Sequence, residues 1–168
     1  MANSARLTSV NIARQSFWNV FNLIDTRSNV PDPNDTSGKR KFVYQSRIPN
    51  NLEKKFPFIV ISRSKPSKGK TTADLSKKFH SFDFNISVYS KDEDSDSSGN
   101  PIGAETADVI TNNVISTLDS PTNRKTFLNY LMGNLEYDID TSEDELEGKT
   151  VFITEFDIRF ENNLIRAS

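Results

Sequence analysis

The N-terminal part of the chain has the apolar spacing of an amphipathic helix. Between residues 4 and 24, apolar side chains recur every three or four positions, and Ser4 is placed to cap the first turn. The apolar stripe consists of Leu7, Val10, Phe17, Phe21 and Ile24. We expect this stripe to pack on the core, with Trp18 and Phe21 contributing to that packing.

Three strands are predicted between residues 41 and 90. KFVYQSR (41–47) is short, and FPFIVISRS (56–64) is a nearly continuous run of β-branched and aromatic residues. Residues 77–90 alternate between apolar and polar, which is typical of a strand with one buried face. The apolar positions of this strand are Phe82, Phe84, Ile86 and Val88. The simplest topology pairs it antiparallel with 56–64.

The second half of the chain predicts a helix pair and two more strands. Residues 103–118 carry a helical stripe, and Ser120-Pro121 starts a further helix that ends near Gly133. Residues 135–140 and 150–160 alternate as strands. The order α-β-β-β-α-α-β-β predicts an α+β fold. In it, a mainly antiparallel sheet of about five strands carries an N-terminal helix and a central helix pair.

One domain, residues 1–168, accounts for the whole pattern, because the chain shows no internal repeat and no linker. Four segments are rich in turn-forming or charged residues, and we expect them to be flexible loops. These are residues about 25–40, 64–77, 91–102 and 141–149. The C-terminus is expected to fray.

Composition removes several kinds of chemistry. The chain has no Cys and a single His, His80, so thiolate chemistry and multi-histidine metal sites are excluded. Phosphate-binding, dinucleotide-binding, nucleophile-elbow and zinc-protease motifs are also missing from the sequence. No apolar run approaches the roughly 20 residues that cross a bilayer, and the N-terminus lacks a signal-peptide pattern. We therefore expect no enzymatic activity, no cofactor and no membrane partner.

The stretch KDEDSDSSGN (91–100) has the alternate carboxylates of a calcium-binding loop. Asp92, Asp94 and Asp96 fit the first three ligand positions. Ser97 stands where that loop needs its Gly, and Gly103 stands where it needs the bidentate Glu. We expect a connection between a strand and a helix, and no metal site.

The charge of the chain changes sign near this stretch. Net charge is −2, but residues 37–91 hold thirteen Lys or Arg against three acids, and residues 92–168 hold five against seventeen. Such asymmetry either is neutralised within the fold or supplies complementary surfaces to neighbouring subunits. The basic candidates for such contacts are Arg63, Lys65, Lys68, Lys70, Lys77 and Lys78. The acidic candidates are Asp92, Asp94, Asp96, Glu143, Asp144, Glu145 and Glu147.

The basic hairpin 63–78 also suggests contact with phosphates of a nucleic acid. Between Arg63 and Lys78 the sequence offers no aromatic side chain on which a base could stack. Recognition of single strands is therefore disfavoured.

The order of several stretches along the chain resembles that in the tail terminator or tail completion proteins of tailed viruses. These proteins are also called head–tail joining or neck proteins. The stretches are Pro57 before an apolar strand, Tyr89 and Asp92 at the end of the next strand, and the helix stripe Ala107, Ile110, Val114 and Leu118. The closing strand VFITEFDIRF (151–160) is also similar to the family. The resemblance covers roughly residues 40–160.

The resemblance implies a structural subunit that forms a ring, usually a hexamer. Such a ring caps the finished tail tube and offers its other face to the head connector, without catalysis or cofactor. Its partners would be copies of itself, the tail tube protein and a connector or adaptor protein. Genomic DNA would pass through the ring without sequence-specific binding. The protein would be located in the virion, in the tail or neck, after assembly in the host cytoplasm.

Two alternatives remain open. The first is another neck or connector adaptor, or another tube-capping subunit, because related rings share the fold. The second, which we favour less, is a nucleic-acid-binding module that uses the hairpin 63–78.

Overall fold

The protein folds as an α+β domain in which helices cover a mainly antiparallel sheet, as the sequence predicts. The computed structural model describes the backbone of residues 9–35, 37–46, 56–65, 69–71, 77–92, 102–123, 135–146 and 148–165. Within these ranges the elements are α1 (Ser9–Asp25), β1 (Val43–Gln45), β2 (Phe58–Lys65), β3 (Gly69–Thr71), β4 (Lys77–Lys91), α2 (Gly103–Asp119), β5 (Leu135–Leu146) and β6 (Lys149–Ile165). Residues 121–123 are also helical, and the rest of the helix predicted from Pro121 lies outside the described residues.

The sheet is organised around the two longest strands. Its order is β1-β2-β4-β6-β5, and β3 pairs with β4 beside this path. β2 and β4 are antiparallel, with Ile61 opposite Ile86, which confirms the predicted pairing. β6 pairs with β4 along the whole length of β4, from Lys77 opposite Ile165 to Lys91 opposite Val151. β1 is parallel to β2.

One face of this sheet carries the core. Buried residues of both helices join alternate residues of the strands in a single apolar cluster. The helices contribute Phe17, Val20, Phe21, Ile24, Ile110, Val114 and Leu118, and the sheet contributes Ile59, Ile61, Phe84, Ile86, Val88, Phe156 and Ile158. Each such side chain stabilises the fold by about 1.5–3 kcal/mol on burial. The predicted stripes are confirmed at Phe17, Phe21 and Ile24 of α1 and at Ala107, Ile110, Val114 and Leu118 of α2. Leu7 and the side chain of Val10 lie outside the described residues. Trp18 stays 39% exposed while it packs edge-on against Phe17 and Phe21.

We call the opposite face of the sheet the open face. Near β1 and β2 this face is covered by aromatic side chains. Phe58 stacks on Tyr89 with ring centroids 4.8 Å apart, and Phe56 lies 5.0 Å from Phe58. The Nζ of Lys91 lies 5.7 Å from the centre of the Phe56 ring. Aromatic packing of this kind covers the open face beside β2, so its exposed part lies towards β5 and β6.

A buried ion pair holds part of the segment 25–40, which was predicted as a flexible loop. The side chain of Asp32 is 0% exposed and that of Arg40 is 15% exposed. Arg40 donates to both carboxylate oxygens of Asp32, at 2.6 and 2.7 Å. It also donates to the carbonyl oxygens of Phe56, at 3.0 Å, and Pro57, at 2.7 Å. The planar guanidinium of Arg40 thus links the segment 25–40 to the residues just before β2.

A second set of bonds closes the same segment around Asp35. Its carboxylate accepts hydrogen bonds from the hydroxyl of Ser37 and the backbone N–H of Arg40. These bonds hold the pKa of Asp35 well below its ordinary value of 3.8. Arg27 donates to the carbonyl oxygens of Asp35 and Arg40. Gly38 has a φ of +76°, which glycine adopts without strain.

Two further loop predictions and the expected fraying of the C-terminus require correction. The acidic turn predicted at 141–149 is mostly strand, because β5 pairs with β6 as far as Leu146 opposite Lys149. The turn itself is short and places Gly148 at a φ of +74°. The hairpin 64–77 contains β3, which pairs with β4 through Lys70 opposite Phe79. The C-terminal residues that were expected to fray belong to β6 as far as Ile165. Most of the loop predicted at 91–102 lies outside the described residues.

Candidate subunit interface

Three of the basic residues predicted as subunit contacts lie at one end of the sheet, namely Lys70, Lys77 and Lys78, whereas Arg63 and Lys65 lie opposite Phe84 and Asp83, nearer the middle of β4. The basic candidates on described backbone are Arg63 and Lys65 at the end of β2, Lys70 in β3, and Lys77 and Lys78 at the start of β4. Lys68 lies outside the described residues. The pairing of β3 with β4 brings Lys70, Lys77 and Lys78 together, because it folds the chain back on itself between 69 and 80. We call residues 63–78 the basic arm.

The predicted acidic contacts that the structure describes lie at the opposite end. Glu143, Asp144 and Glu145 are exposed near the end of β5, and Asp92 follows the last residue of β4. The other predicted acidic contacts, Asp94, Asp96 and Glu147, lie outside the described residues.

The sheet keeps these two charged groups apart. Lys77 and Lys91 mark the two ends of β4, and Asp144 lies in the same row as Lys91, across β6. At about 3.3 Å per residue, the rows of Lys77 and Lys91 are about 46 Å apart. Physiological salt screens exposed charges beyond about 8 Å. The basic arm and the acidic end of β5 therefore do not neutralise each other within one subunit.

The structure adds an acidic surface that the sequence analysis did not single out. On the open face, Asp138 of β5 lies opposite Asp157 of β6, and Asp140 lies opposite Glu155. All four side chains are exposed. We call these four residues the acidic face. Alternate carboxylates in 138–140 and 155–157 are visible in the sequence, but their convergence depends on the register between two distant segments.

Neighbouring side chains on β4 contact the acidic face through neutral groups. Asn85 donates an amide hydrogen bond of 3.1 Å to Asp157, and the hydroxyl of Ser87 donates one of 3.3 Å to Glu155. Arg159, the basic residue next along β6, forms an ion pair of 3.0 Å with Asp83. Among the described ion pairs, none includes a residue of the acidic face. The surface therefore keeps its negative charge in the folded subunit.

Asp92 has a local partner in the same subunit. Its carboxylate accepts a 2.9 Å hydrogen bond from the backbone N–H of Gly103, at the start of α2. Its own backbone N–H donates to the carbonyl oxygen of Thr150. A carboxylate at a helix N-terminus satisfies one of the first four N–H groups and interacts favourably with the helix dipole. The structure thus shows Asp92 closing the joint between β4 and α2.

A cleft of about 500 Å³ lies between α2 and the β5–β6 hairpin. Ala104 and Ala107 line its helix side, and Phe152 lines its sheet side. The titratable groups of its lining are the carboxylates of Asp108 and Glu143. The cleft therefore adds further negative charge to this end of the molecule.

Two features that would indicate other functions are absent from the described residues. No group of three or more His, Asp or Glu side chains in these ranges could hold a metal ion. In the same ranges no helix combines the length and the apolar character needed to cross a bilayer.

Comparison with known proteins gives no family. No protein-family model matches the sequence, and no curated protein matches it either.

Proposed function

We propose that this protein is a ring-forming structural subunit of a virus tail, namely a tail terminator that caps the tail tube and joins it to the head connector. The α+β fold and the order of its elements are consistent with the family that residues 40–160 resemble. The proposal involves no catalytic step and no cofactor.

The observation that carries the proposal is the separation of charge along the sheet. A closed ring needs a heterologous contact, in which two different surfaces of one chain meet on neighbouring copies. The basic arm and the acidic end of β5 are two such surfaces, in separate parts of the sheet. Along the strands the row of Asp144 lies about 46 Å from Lys77 and about 23 Å from Arg63, and both distances favour pairing between subunits over pairing within one.

Electron microscopy of the purified protein mixed with polymerised tail tubes tests this function. We expect rings in the protein alone, and rings at one end of the tubes in the mixture. Tubes without added protein provide the control for blunt ends. Monomers at every salt concentration, together with bare tube ends, would contradict the proposal.

The same preparation separates the alternatives. Rings that bind isolated head connectors and leave tubes bare would indicate a neck or connector adaptor. Salt-sensitive binding to duplex DNA, lost when Lys65, Lys68 and Lys70 are replaced by Glu, would indicate the nucleic-acid-binding alternative.

A further inference from the structure

The acidic face does not stabilise an isolated subunit. Like charges directly opposite each other on neighbouring strands destabilise a sheet. Asp138 and Asp157 form one such pair, and Asp140 and Glu155 form the next. A positively charged partner placed over these rows would offset both repulsions with attractions of its own.

β5 also offers unpaired backbone beside these carboxylates. It is the last strand in the sheet order, and within the described residues it pairs with β6 alone. Residues 138–145 are exposed on both faces of the strand, and Ile139 remains 45% exposed. An exposed edge of this kind is a template for the addition of another strand. Its carboxylates select a strand that carries positive charge.

The chain itself contains a segment with that chemistry. The basic arm, residues 63–78, has six Lys or Arg and one acid, and it includes the short strand β3. Lys70 of the same subunit lies opposite Phe79, six residues along β4 from the row of Asp157. That offset is about 20 Å, so this part of the arm does not reach its own acidic face. Lys65, at the start of the arm, lies nearer, because it is opposite Asp83, two residues along β4 from the row of Asp157. A second copy can bring the β3 part of the arm to that face.

We propose that the basic arm of one copy docks along the free edge of β5 and over the acidic face of the next copy. This inference rests on the proposed ring, and it specifies the contact that closes it. Cations of the arm neutralise Asp138, Asp140, Glu155 and Asp157, and the arm backbone pairs with β5. The contact is head-to-tail, because each copy gives its arm to one neighbour and receives an arm from the other.

Charge reversal on each surface tests the contact. The arm variant carries Lys68→Glu and Lys70→Glu, and the face variant carries Asp138→Lys and Asp140→Lys. The two variants shift the net charge by equal and opposite amounts. A control variant, Asp25→Lys with Asp119→Lys, has the same charge change as the face variant but places it at the exposed C-terminal ends of the helices.

Oligomer mass is measured against protein concentration for each variant and for a one-to-one mixture of the arm and face variants. We expect each variant alone to associate at least about 100-fold more weakly than the original protein, because like charges meet at its contact. The mixture should form oligomers again, since each variant complements the other. The control should associate as the original protein does, and circular dichroism should show all variants folded.

The possible failures differ from one another. If the original protein forms rings and both variants form them equally well, the proposed contact between arm and acidic face is wrong, but the proposed ring is supported. If the original protein never associates, the ring and the contact are both wrong. If it forms a dimer that the variants weaken and the mixture restores, the contact is supported and the ring is wrong.

Discussion

Asp138 on β5 lies directly opposite Asp157 on β6, on the sheet face away from the apolar core. Both carboxylates are exposed, and the next row repeats the arrangement with Asp140 and Glu155. Within the described residues, the folded subunit therefore combines a local repulsion with a strand, β5, that pairs on one side only. In our proposal, a substitution that relieves this repulsion stabilises one subunit and weakens its association with the next.

Asp138→Lys should stabilise the monomer and weaken its association. The substitution replaces a like-charge pair by an opposite-charge pair, which favours folding by about 0.2–1 kcal/mol. Urea denaturation at a concentration where the protein is monomeric measures this gain. Asn112→Lys, which adds a positive charge at an exposed position in the middle of α2, serves as the control for added positive charge. A variant that loses both stability and association would show that Asp138 supports the fold, contrary to our account.

Gly103→Ala should destabilise the fold. A Cβ at this position would lie 2.5 Å from Oδ1 of Asp92, 2.9 Å from its backbone N and 2.9 Å from the carbonyl carbon of Lys91. Two of these atoms belong to the backbone, so relief requires α2 to shift away from β4. We expect a loss of about 1–3 kcal/mol in the free energy of unfolding.

Ala104→Ser is a matched control for that experiment, because Ala104 is the next residue of α2 and is exposed. It should change the free energy of unfolding by less than about 0.5 kcal/mol. Equal stability of Gly103→Ala and the original protein would show that the joint between β4 and α2 is not close-packed.

Arg40→Ala should cost about 3–5 kcal/mol, because it leaves the buried carboxylate of Asp32 without its partner. Arg40→Lys should recover part of this loss, since an ammonium group cannot reproduce the two-pronged contact and the bonds to Phe56 and Pro57. Urea denaturation of these variants and of Asp32→Ala gives a double-mutant cycle. Additive losses in the cycle would contradict direct coupling between the two residues.

Asp35 should contribute stability that disappears in acid. Its pKa is lowered in the folded state from an ordinary value of 3.8, so the contribution is fully present above that value. It shrinks as the pH falls below 3.8 and is lost once the pH passes below the lowered pKa of the folded state. The stability difference between the original protein and Asp35→Asn should therefore narrow from pH 7 to about pH 2. A constant difference across this range would contradict the assignment.

The elements that the sequence predicted well are those with a repeating apolar pattern. The helical stripe ending in Phe17, Phe21 and Ile24 and the alternation of Phe84, Ile86 and Val88 each specify a buried face. Burial of that face decides the fold, so pattern and structure agree. The antiparallel pairing of β2 with β4 followed from the same reasoning.

The parts that sequence reasoning missed lack such a pattern. Residues 141–145 are exposed and polar or charged, yet they belong to a strand because the backbone of β6 supplies their hydrogen bonds. The ion pair of Asp32 with Arg40 joins two loop residues that no periodicity relates. The acidic face depends on the register of β5 against β6, and composition alone does not give that register.

The mass of the particle in solution, measured at low and at high salt, tests the central claim most directly. Our account predicts a closed assembly at low salt with a mass of about six times the 19.0 kDa of one chain. It predicts that high salt shifts this assembly towards monomers, because charged surfaces hold it together. A mass of 19.0 kDa at every salt and protein concentration would contradict the account.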